Sequence, residues 1–321
     1  MLRRIDRFSL LLLTTVAIAS ILPCQGIAAR IFHIVTVAAI AALFFLHGAK
    51  LSREAIVAGA THWRLHLLIL AITFALFPLL GLAAQAAASP FLAPGLAAGL
   101  LFLTLLPSTV QSSIAFTAMA GGNVPAAVCS ASASNLIGIA LTPILVALLM
   151  GAHGNTMGLA QAEEIVLQLL VPFLAGHLLR PWLGWLTARK ALTQIVDRGS
   201  ILLVVYTAFS AAVVEGLWRA VPAWQIAVLL GFCLVLLAAV LWASRALART
   251  LGFDRADEIA IQFCGSKKSL ASGVPIAGVL FPAAAVGPII LPLMLFHQIQ
   301  LLACAAIAQR YAATGRAPAG A

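Results

Sequence analysis

Ten apolar stretches divide this chain of 321 residues, and most approach the roughly 20 residues that a helix needs to cross a bilayer. Hydrophobic residues make up 63% of the sequence and charged residues only 9%, against about a quarter in soluble domains. No stretch alternates apolar and polar residues as the strands of a membrane β-barrel do. The sequence therefore predicts an all-α polytopic membrane protein. The ten predicted spans cover residues 8–22, 31–46, 65–85, 95–120, 124–150, 163–179, 199–214, 223–243, 258–282 and 287–309.

Basic residues in the loops predict the orientation, because Lys and Arg are retained on the cytoplasmic side. With the N-terminus inside, two basic residues, Arg30 and Arg219, fall outside and 15 fall in cytoplasmic loops. Those 15 are Arg3, Arg4, Arg7, Lys50, Arg53, Arg64, Arg180, Arg189, Lys190, Arg198, Arg245, Arg249, Arg255, Arg310 and Arg316. We therefore expect a multi-pass protein of the inner (plasma) membrane, in contact with its lipids, with both termini cytoplasmic. The alternative, a cleaved secretory signal at the N-terminus, would leave nine spans and contradict this distribution.

The formal net charge of +10 raises nucleic-acid binding as another function. The basic residues are instead scattered over the predicted cytoplasmic loops and match no nucleic-acid-binding module, so we expect topology signals and no nucleic-acid partner. The five cysteines are widely spaced and show no CxxC or Cys/His pattern. This spacing favours buried apolar cysteines over a metal site or a disulfide framework.

Two of the predicted spans are interrupted at corresponding places. The fourth span breaks at residues 107–113 (PSTVQSS) and the ninth at 265–269 (GSKKS), an offset of about 157 residues. Together with five spans per half, this offset predicts one membrane domain, 1–321, made of two inverted repeats, 8–150 and 163–309. Freed backbone groups are tolerated in a membrane only beside a watery cavity or other protein. Paired interruptions of this kind therefore indicate a transport site where the two breaks meet.

The break in the ninth span contains two lysines, Lys267 and Lys268, which would cost several kcal/mol at bilayer depth without a partner. All nine acidic residues fall in predicted loops or within a turn of a span end. The central charge is thus cationic, half-helix N-termini add to it, and the expected substrate is a small organic anion. Adjacent residues face different ways, so we expect one lysine to face the cavity and the other to reach Gln111, Ser112 and Ser113. The alternative is that both lysines snorkel to a membrane interface.

Burial without a carboxylate partner disfavours a charged amine, so we hypothesise that one lysine exchanges a proton and couples transport to protons instead of sodium. Ser132 and Asn135, in a polar run of the fifth span, are predicted to lie beside the fourth-span break. A Ser-Lys hydrolase built on Ser266 would also need an oxyanion site and a scissile substrate, which the sequence does not suggest. No filter motif suggests a channel. We therefore expect a transporter and not an enzyme.

The motifs PSTVQSS and GGNV, and FCGSKKSLASGVP followed by FP, resemble those of the bile acid:sodium symporter family, in its SBF-like branch. The resemblance covers almost the whole chain. It implies ten spans in two inverted repeats, a panel and a core domain, and crossed broken helices at the fourth and ninth spans. The eukaryotic relatives of this branch, of the member-7 type of solute carrier family 10, suggest a second hypothesis. On that hypothesis the chain is a regulatory membrane protein that affects calcium handling.

The resemblance also implies a set of former sodium ligands. The shared sodium glutamate of the coupled members is replaced here by Gln262, and a lysine stands among the matching positions. Sodium therefore remains a coupling ion only by family resemblance, no other cofactor is expected, and an ammonium group could supply the charge of the bound cation. The matching positions are Ser112, Ser113, Gln262, Ser266, Lys267 and Thr73.

Overall fold

The computed structural model describes residues 7–50, 62–151, 159–184 and 189–314, and in these residues it is helical, without a β-strand. The all-α class is thus confirmed for the described chain. Arg3, Arg4, Arg53 and Arg316, used for the predicted orientation, lie outside it. The helices are α1 (Arg7–Ile21), α2 (Gly26–Lys50), α3 (Trp63–Ala88), α4 (Pro94–Thr104), α5 (Gln111–Met119), α6 (Val124–Leu149), α7 (Leu159–Leu179), α8 (Lys190–Val214), α9 (Ala223–Thr250), α10 (Arg255–Gly265), α11 (Leu270–Leu280) and α12 (Ala283–Thr314).

Six of the described helices, α2, α3, α6, α8, α9 and α12, are long and apolar enough to cross a membrane. The predicted first and sixth spans coincide with α1 and α7, and the interrupted fourth and ninth spans with the pairs α4–α5 and α10–α11. Both interruptions are shorter than predicted. The first covers residues 105–110, so that Gln111, Ser112 and Ser113 form the first turn of α5 instead of belonging to the break.

The helices pack in two groups. The four-helix group consists of α1, α2, α7 and α8, and the core group consists of α3 to α6 and α9 to α12. The groups meet where α8 packs against α11 and α12, and where α6 packs against α7. Both broken pairs belong to the core group, so the interruptions face other helices and not lipid alone.

Small residues allow close helix contacts, as is usual in membrane bundles. A Cβ atom at Gly48 of α2 would overlap the carbonyl oxygen of Phe173 in α7, and one at Gly176 would overlap the carbonyl oxygen of Phe45. This reciprocal contact fixes the C-terminal end of α2 against α7. In the core group, Gly99 of α4 lies equally close to the backbone of α12.

A local backbone irregularity in α3 matters for the site. One π-helical turn, Ile72–Leu76, interrupts α3, and the N–H of Phe77 bonds to the carbonyl of Ile72. The next residue is Pro78, which has no N–H to donate. The carbonyl oxygen of Thr73 is therefore released from the helical ladder and is available to another donor.

Candidate functional site

The two helix breaks contact each other directly, as expected from the sequence. The N–H of Ser269, in the second break, donates to the carbonyl oxygen of Pro107, in the first, over 2.9 Å. The hydroxyl of Ser113 donates to the carbonyl oxygen of Phe263 over 3.2 Å, and that of Ser108 reaches the last turn of α10 in the same way. Each break thus satisfies backbone groups that the other one frees.

The side chain of Lys268 is enclosed by carbonyl groups. Its Nζ donates to the carbonyl oxygens of Thr73 over 2.8 Å and of Thr104 and Leu106 over 2.7 Å each, which uses all three ammonium protons. Thr104 is the last residue of α4, where the helix dipole is negative. The ring centroid of Phe77 lies 4.2 Å from Nζ. The amine is fully buried, and its three carbonyl contacts are those that a protonated amine requires.

The backbone of Lys268 is held separately, from α12. Its N–H donates to Oε1 of Gln300 over 2.9 Å, and Nε2 of Gln300 donates back to its carbonyl oxygen over 3.0 Å. Gln300 is itself fully buried and lies 2.9 Å from Nδ1 of His297. These two bonds satisfy the backbone of Lys268, which lies outside both half-helices, and so stabilise the second break.

The side chain of Lys267 points the other way. Its Nζ donates to the carbonyl oxygen of Ser112 over 2.8 Å and lies 4.0 Å from the ring centroid of Phe116 and 5.3 Å from that of Phe263. The two lysines therefore have different contacts, as expected, and Lys267 is the one that reaches the first turn of α5 at Ser112. Both are fully buried in protein, which rules out snorkelling to an interface in this structure.

A cavity lies between the breaks and helices α2 and α8. It has two adjoining lobes of about 270 Å³ and 360 Å³, which share His47, Val110, Gln111, Asn135, Asp197 and Ser272 in their walls. Residues 109–112 and 269–272, which begin α5 and α11, both line the first lobe. Two positive half-helix ends therefore meet at one cavity, an arrangement that favours an anion.

The lysines do not line this cavity, which corrects the expectation that one of them faces it. Neither Lys267 nor Lys268 is among the described residues of its walls. The physical reason is that both ammonium groups bind carbonyl oxygens behind the half-helix ends. Their charges act on the cavity through the protein instead of by direct contact.

Asn135 bridges the two breaks at the cavity wall. Its Nδ2 donates to the carbonyl oxygen of Ser108 over 2.7 Å, and its Oδ1 accepts from the hydroxyl of Ser272 over 2.6 Å. The hydroxyl of Ser134 accepts from the N–H of Ser108 over 3.0 Å. The polar run of the fifth predicted span therefore lies beside the first break, as predicted, and Ser132 lines the second lobe.

Four of the predicted site residues, Gln111, Ser112, Ser132 and Asn135, line the cavity. The others lie in the core group outside its walls. Gln262 faces α9 and α12, where its Nε2 donates to the carbonyl of Leu241 over 3.2 Å and its Oε1 accepts from the Tyr311 hydroxyl over 2.6 Å. The hydroxyl of Thr73 donates to its own helix, and only its carbonyl reaches Lys268. The hydroxyl of Ser266 is buried and has no hydrogen-bond partner in the described chain.

The sequence interpretation missed a carboxylate. Asp197 was placed next to a span end, but α8 begins at Lys190, so Asp197 lies about two turns inside the helix. It lines both lobes and pairs with Lys50, whose Nζ lies 2.8 Å from its Oδ2. The predicted span begins at residue 199, after Asp197, whereas the helix begins at Lys190. The hydropathy pattern therefore left Asp197 outside the span. His47 lies 3.7 Å from the same carboxylate.

Metal-binding side chains do not gather in the described ranges, where no three His, Cys, Asp or Glu side chains are placed to hold an ion. The oxygen atoms best arranged for a monovalent cation are the backbone carbonyls around Lys268. The ammonium group already occupies that position.

Comparison with known proteins places the chain in a transporter family. The family model of the SBF-like CPA transporter family matches residues 6–313. A Pseudomonas aeruginosa relative, uncharacterized protein PA2026, is 61% identical over 309 residues, which cover 96% of this chain and 93% of that protein. The Escherichia coli (strain K12) protein named "Putative symporter YfeH" is 54% identical over 310 residues, or 96% of this chain and 93% of that protein.

A more distant similarity links the chain to a vertebrate protein. The sodium/bile acid cotransporter 7 of Rattus norvegicus is 28% identical over 272 residues, which cover 82% of this chain and 79% of that protein. The family match, the near relatives and the apolar helices agree with one another. The chain belongs to the SBF-like CPA transporter family.

Proposed function

We propose that this protein is a secondary active transporter that moves a small organic anion across the cytoplasmic membrane. The observation that carries the proposal is the meeting of two half-helix N-termini, those of α5 and α11, at one cavity. Exposed Gln111 lies in the same wall and offers its amide N–H groups to a carboxylate or sulfonate. The amide of Asn135, in the same wall, uses both N–H groups on the carbonyls of Ser108 and Ala131 and so holds the wall in place. The cavity lies between the core group and parts of α2 and α8, as alternating access requires of a central site.

The proposed architecture is ten spans in two inverted repeats, 8–150 and 163–309, with both termini in the cytoplasm. The helix pairs α4–α5 and α10–α11 then each count as one interrupted span. Motion of the four-helix group against the core group would expose the cavity to each side in turn. The small-residue contact between α2 and α7 is consistent with a four-helix group that moves as a unit.

The coupling ion in this proposal is a proton. The carbonyl oxygens that would attract a monovalent cation are taken by Lys268, and Ser112 is taken by Lys267, so two tethered ammonium groups supply the positive charge. Both groups lie behind the cavity wall, so in this proposal neither lysine exchanges the transported proton, in contrast to the hypothesis from the sequence. The transported proton binds to another group. The Escherichia coli relative is named a putative symporter and the rat relative a cotransporter, names that support coupled transport, and the ion and the substrate of this chain are our proposal.

The first experiment is a thermal-shift screen of the purified protein against organic mono- and dianions, with and without sodium, at two pH values. A ligand at about 100 times its Kd stabilises the folded state by about 2.7 kcal/mol. The proposal expects at least one anion to raise the melting temperature, and Gln111→Ala to reduce that shift. Gln25→Ala, an exposed glutamine outside the cavity, is the matched control. A screen in which every anion leaves the wild-type protein unshifted would contradict the proposal.

A further inference from the structure

A second set of charged side chains faces the breaks from the opposite wall of the cavity. His47 and Lys50 lie one turn apart on α2 and both approach Asp197 on α8. His47 and Asp197 line both lobes, and Lys50 lines the second. Asp197 is the one carboxylate among the described residues of these walls. The cluster belongs to the four-helix group, whereas the half-helix ends belong to the core group.

The two oxygens of Asp197 have different partners. Oδ2 binds Nζ of Lys50 at 2.8 Å, but Oδ1 is buried and accepts no hydrogen bond from the described chain. Nε2 of His47 lies 3.7 Å from Oδ1, which is too far for a hydrogen bond. A buried carboxylate oxygen without a donor is unfavourable. One added proton between Nε2 and Oδ1 would give both atoms a partner.

Few other titratable groups surround the cluster. Arg198 on α8 and His297 on α12 line the first lobe. The guanidinium of Arg198 lies 5.5 Å from the ring centroid of Phe8 on α1, and His297 contacts Gln300. Beside the C-terminal end of α2, α7 and the turn after it carry His177 and Arg180. Among the described residues, His47 is thus the titratable group placed to donate to Oδ1 of Asp197, the oxygen without a hydrogen-bond donor.

We propose that the His47–Asp197 pair binds the proton that is transported with the anion, and that Lys50 is a positioning residue that holds Oδ2. The inference rests on the proposed anion transport. A proton from the water of the cavity adds to Nε2 of His47 and forms an N–H bond. The resulting imidazolium donates to Oδ1 of Asp197, and the proton returns to water on the other side when the pair is exposed there.

The two binding events favour each other. Proton uptake adds one positive charge to the wall that faces the half-helix N-termini, so an anion bound between them is attracted more strongly. By linkage, the anion favours the proton to the same extent. The buried lysines keep the core wall positive throughout, while the His47–Asp197 pair changes the charge of the opposite wall.

The test measures protons moved per anion in vesicles that contain the purified full-length protein and an internal pH dye. Benzoate, succinate and p-toluenesulfonate are the probes, each added outside as a gradient. We expect His47→Gln and Asp197→Asn to lower the proton-to-anion ratio by about tenfold or more. Glu215→Gln, which removes an exposed carboxylate just after α8, should keep the wild-type ratio. An unchanged ratio in both cluster variants overturns the inference but leaves anion transport standing.

A second readout works without any anion. The protein has seven histidines, and labelled-histidine NMR with His47→Gln as the assignment standard follows His47 alone. If the wild-type protein moves none of the probes, the proposed function fails and this titration decides the proton site. A His47 signal that titrates, with a midpoint changed by Asp197→Asn and not by Glu215→Gln, supports the site. A His47 titration midpoint that is the same in the wild type and in Asp197→Asn overturns the site.

Discussion

The two helix breaks differ in what they contribute to the site. The first break, after α4, supplies oxygen: the carbonyls of Thr104 and Leu106 bind a cation. The second break supplies the cations, Lys267 and Lys268. Helix ends freed inside a membrane need partners, and here each break contains what the other lacks. In the described chain the hydrogen-bond acceptors of both amines are backbone carbonyls, whose dipoles replace the water that a side-chain charge would otherwise need.

The two adjacent lysines differ in their number of carbonyl partners: Lys268 has three and Lys267 has one. Lys268→Met removes the cation and leaves three buried carbonyls unpaired. Breaking one side of a buried ionic site typically costs about 3 to 5 kcal/mol. We therefore expect the largest loss of unfolding free energy here, measured by denaturant titration in mixed micelles. A variant as stable as the wild type would refute the carbonyl site.

Lys267→Met is the matched control for the same charge one residue away. It removes one hydrogen bond from a charged donor and two aromatic contacts, for a loss of about 2 kcal/mol. The same titration should rank it between wild type and Lys268→Met. Equal losses in the two variants would mean that charge, and not the number of carbonyl partners, determines stability.

Lys268→Ala should also make the protein sensitive to sodium. The truncated side chain vacates space among three carbonyl oxygens, the ligand type that a hard monovalent cation prefers. At a sodium concentration about ten times Kd the gain is about 1.4 kcal/mol. We expect its melting temperature to rise in sodium relative to choline at equal ionic strength. The wild type, whose ammonium occupies the position, should not respond, and a wild-type response of the same size would contradict the idea.

The smallest expected effect concerns the contact between the breaks. Asn135→Ala removes the bonds to the carbonyls of Ser108 and Ala131 and from the hydroxyl of Ser272. Asn135 is only partly buried and lines the cavity, so water can replace it as a partner, and the loss of unfolding free energy should stay at about 1 kcal/mol, below that of Lys267→Met. Thermal shift with the best anion should also weaken, since Asn135 lines both lobes. Unchanged stability and unchanged anion shift together would remove Asn135 from the site.

Much of this arrangement could be predicted from the sequence, because it follows from patterns that residue types carry. Apolar length predicts the helices, and Pro107 with the polar residues after it predicts the first break. The opposite contacts of Lys267 and Lys268 follow from their adjacency. The polar run in α6 was correctly expected beside the first break.

Other features could not be predicted, because no residue type in the sequence marks them. The ligands of Lys268 are backbone carbonyls, and only the tertiary structure brings Thr73, Thr104 and Leu106 together. The release of the Thr73 carbonyl depends on a π-helical turn before Pro78, which hydropathy does not reveal. The position of Asp197 inside α8 could not be predicted, because the helix begins before its apolar stretch does.

The replacement of a bound cation by tethered ammonium groups is tested most directly by anion uptake into vesicles under an inward proton gradient, with sodium replaced by choline on both sides. The anion is the one that stabilises the purified protein most. If tethered ammonium groups replace a bound cation, uptake continues without sodium and stops when the proton gradient is collapsed. Uptake that requires sodium and is unchanged when the proton gradient is collapsed would show that the ammonium groups do not replace a bound cation.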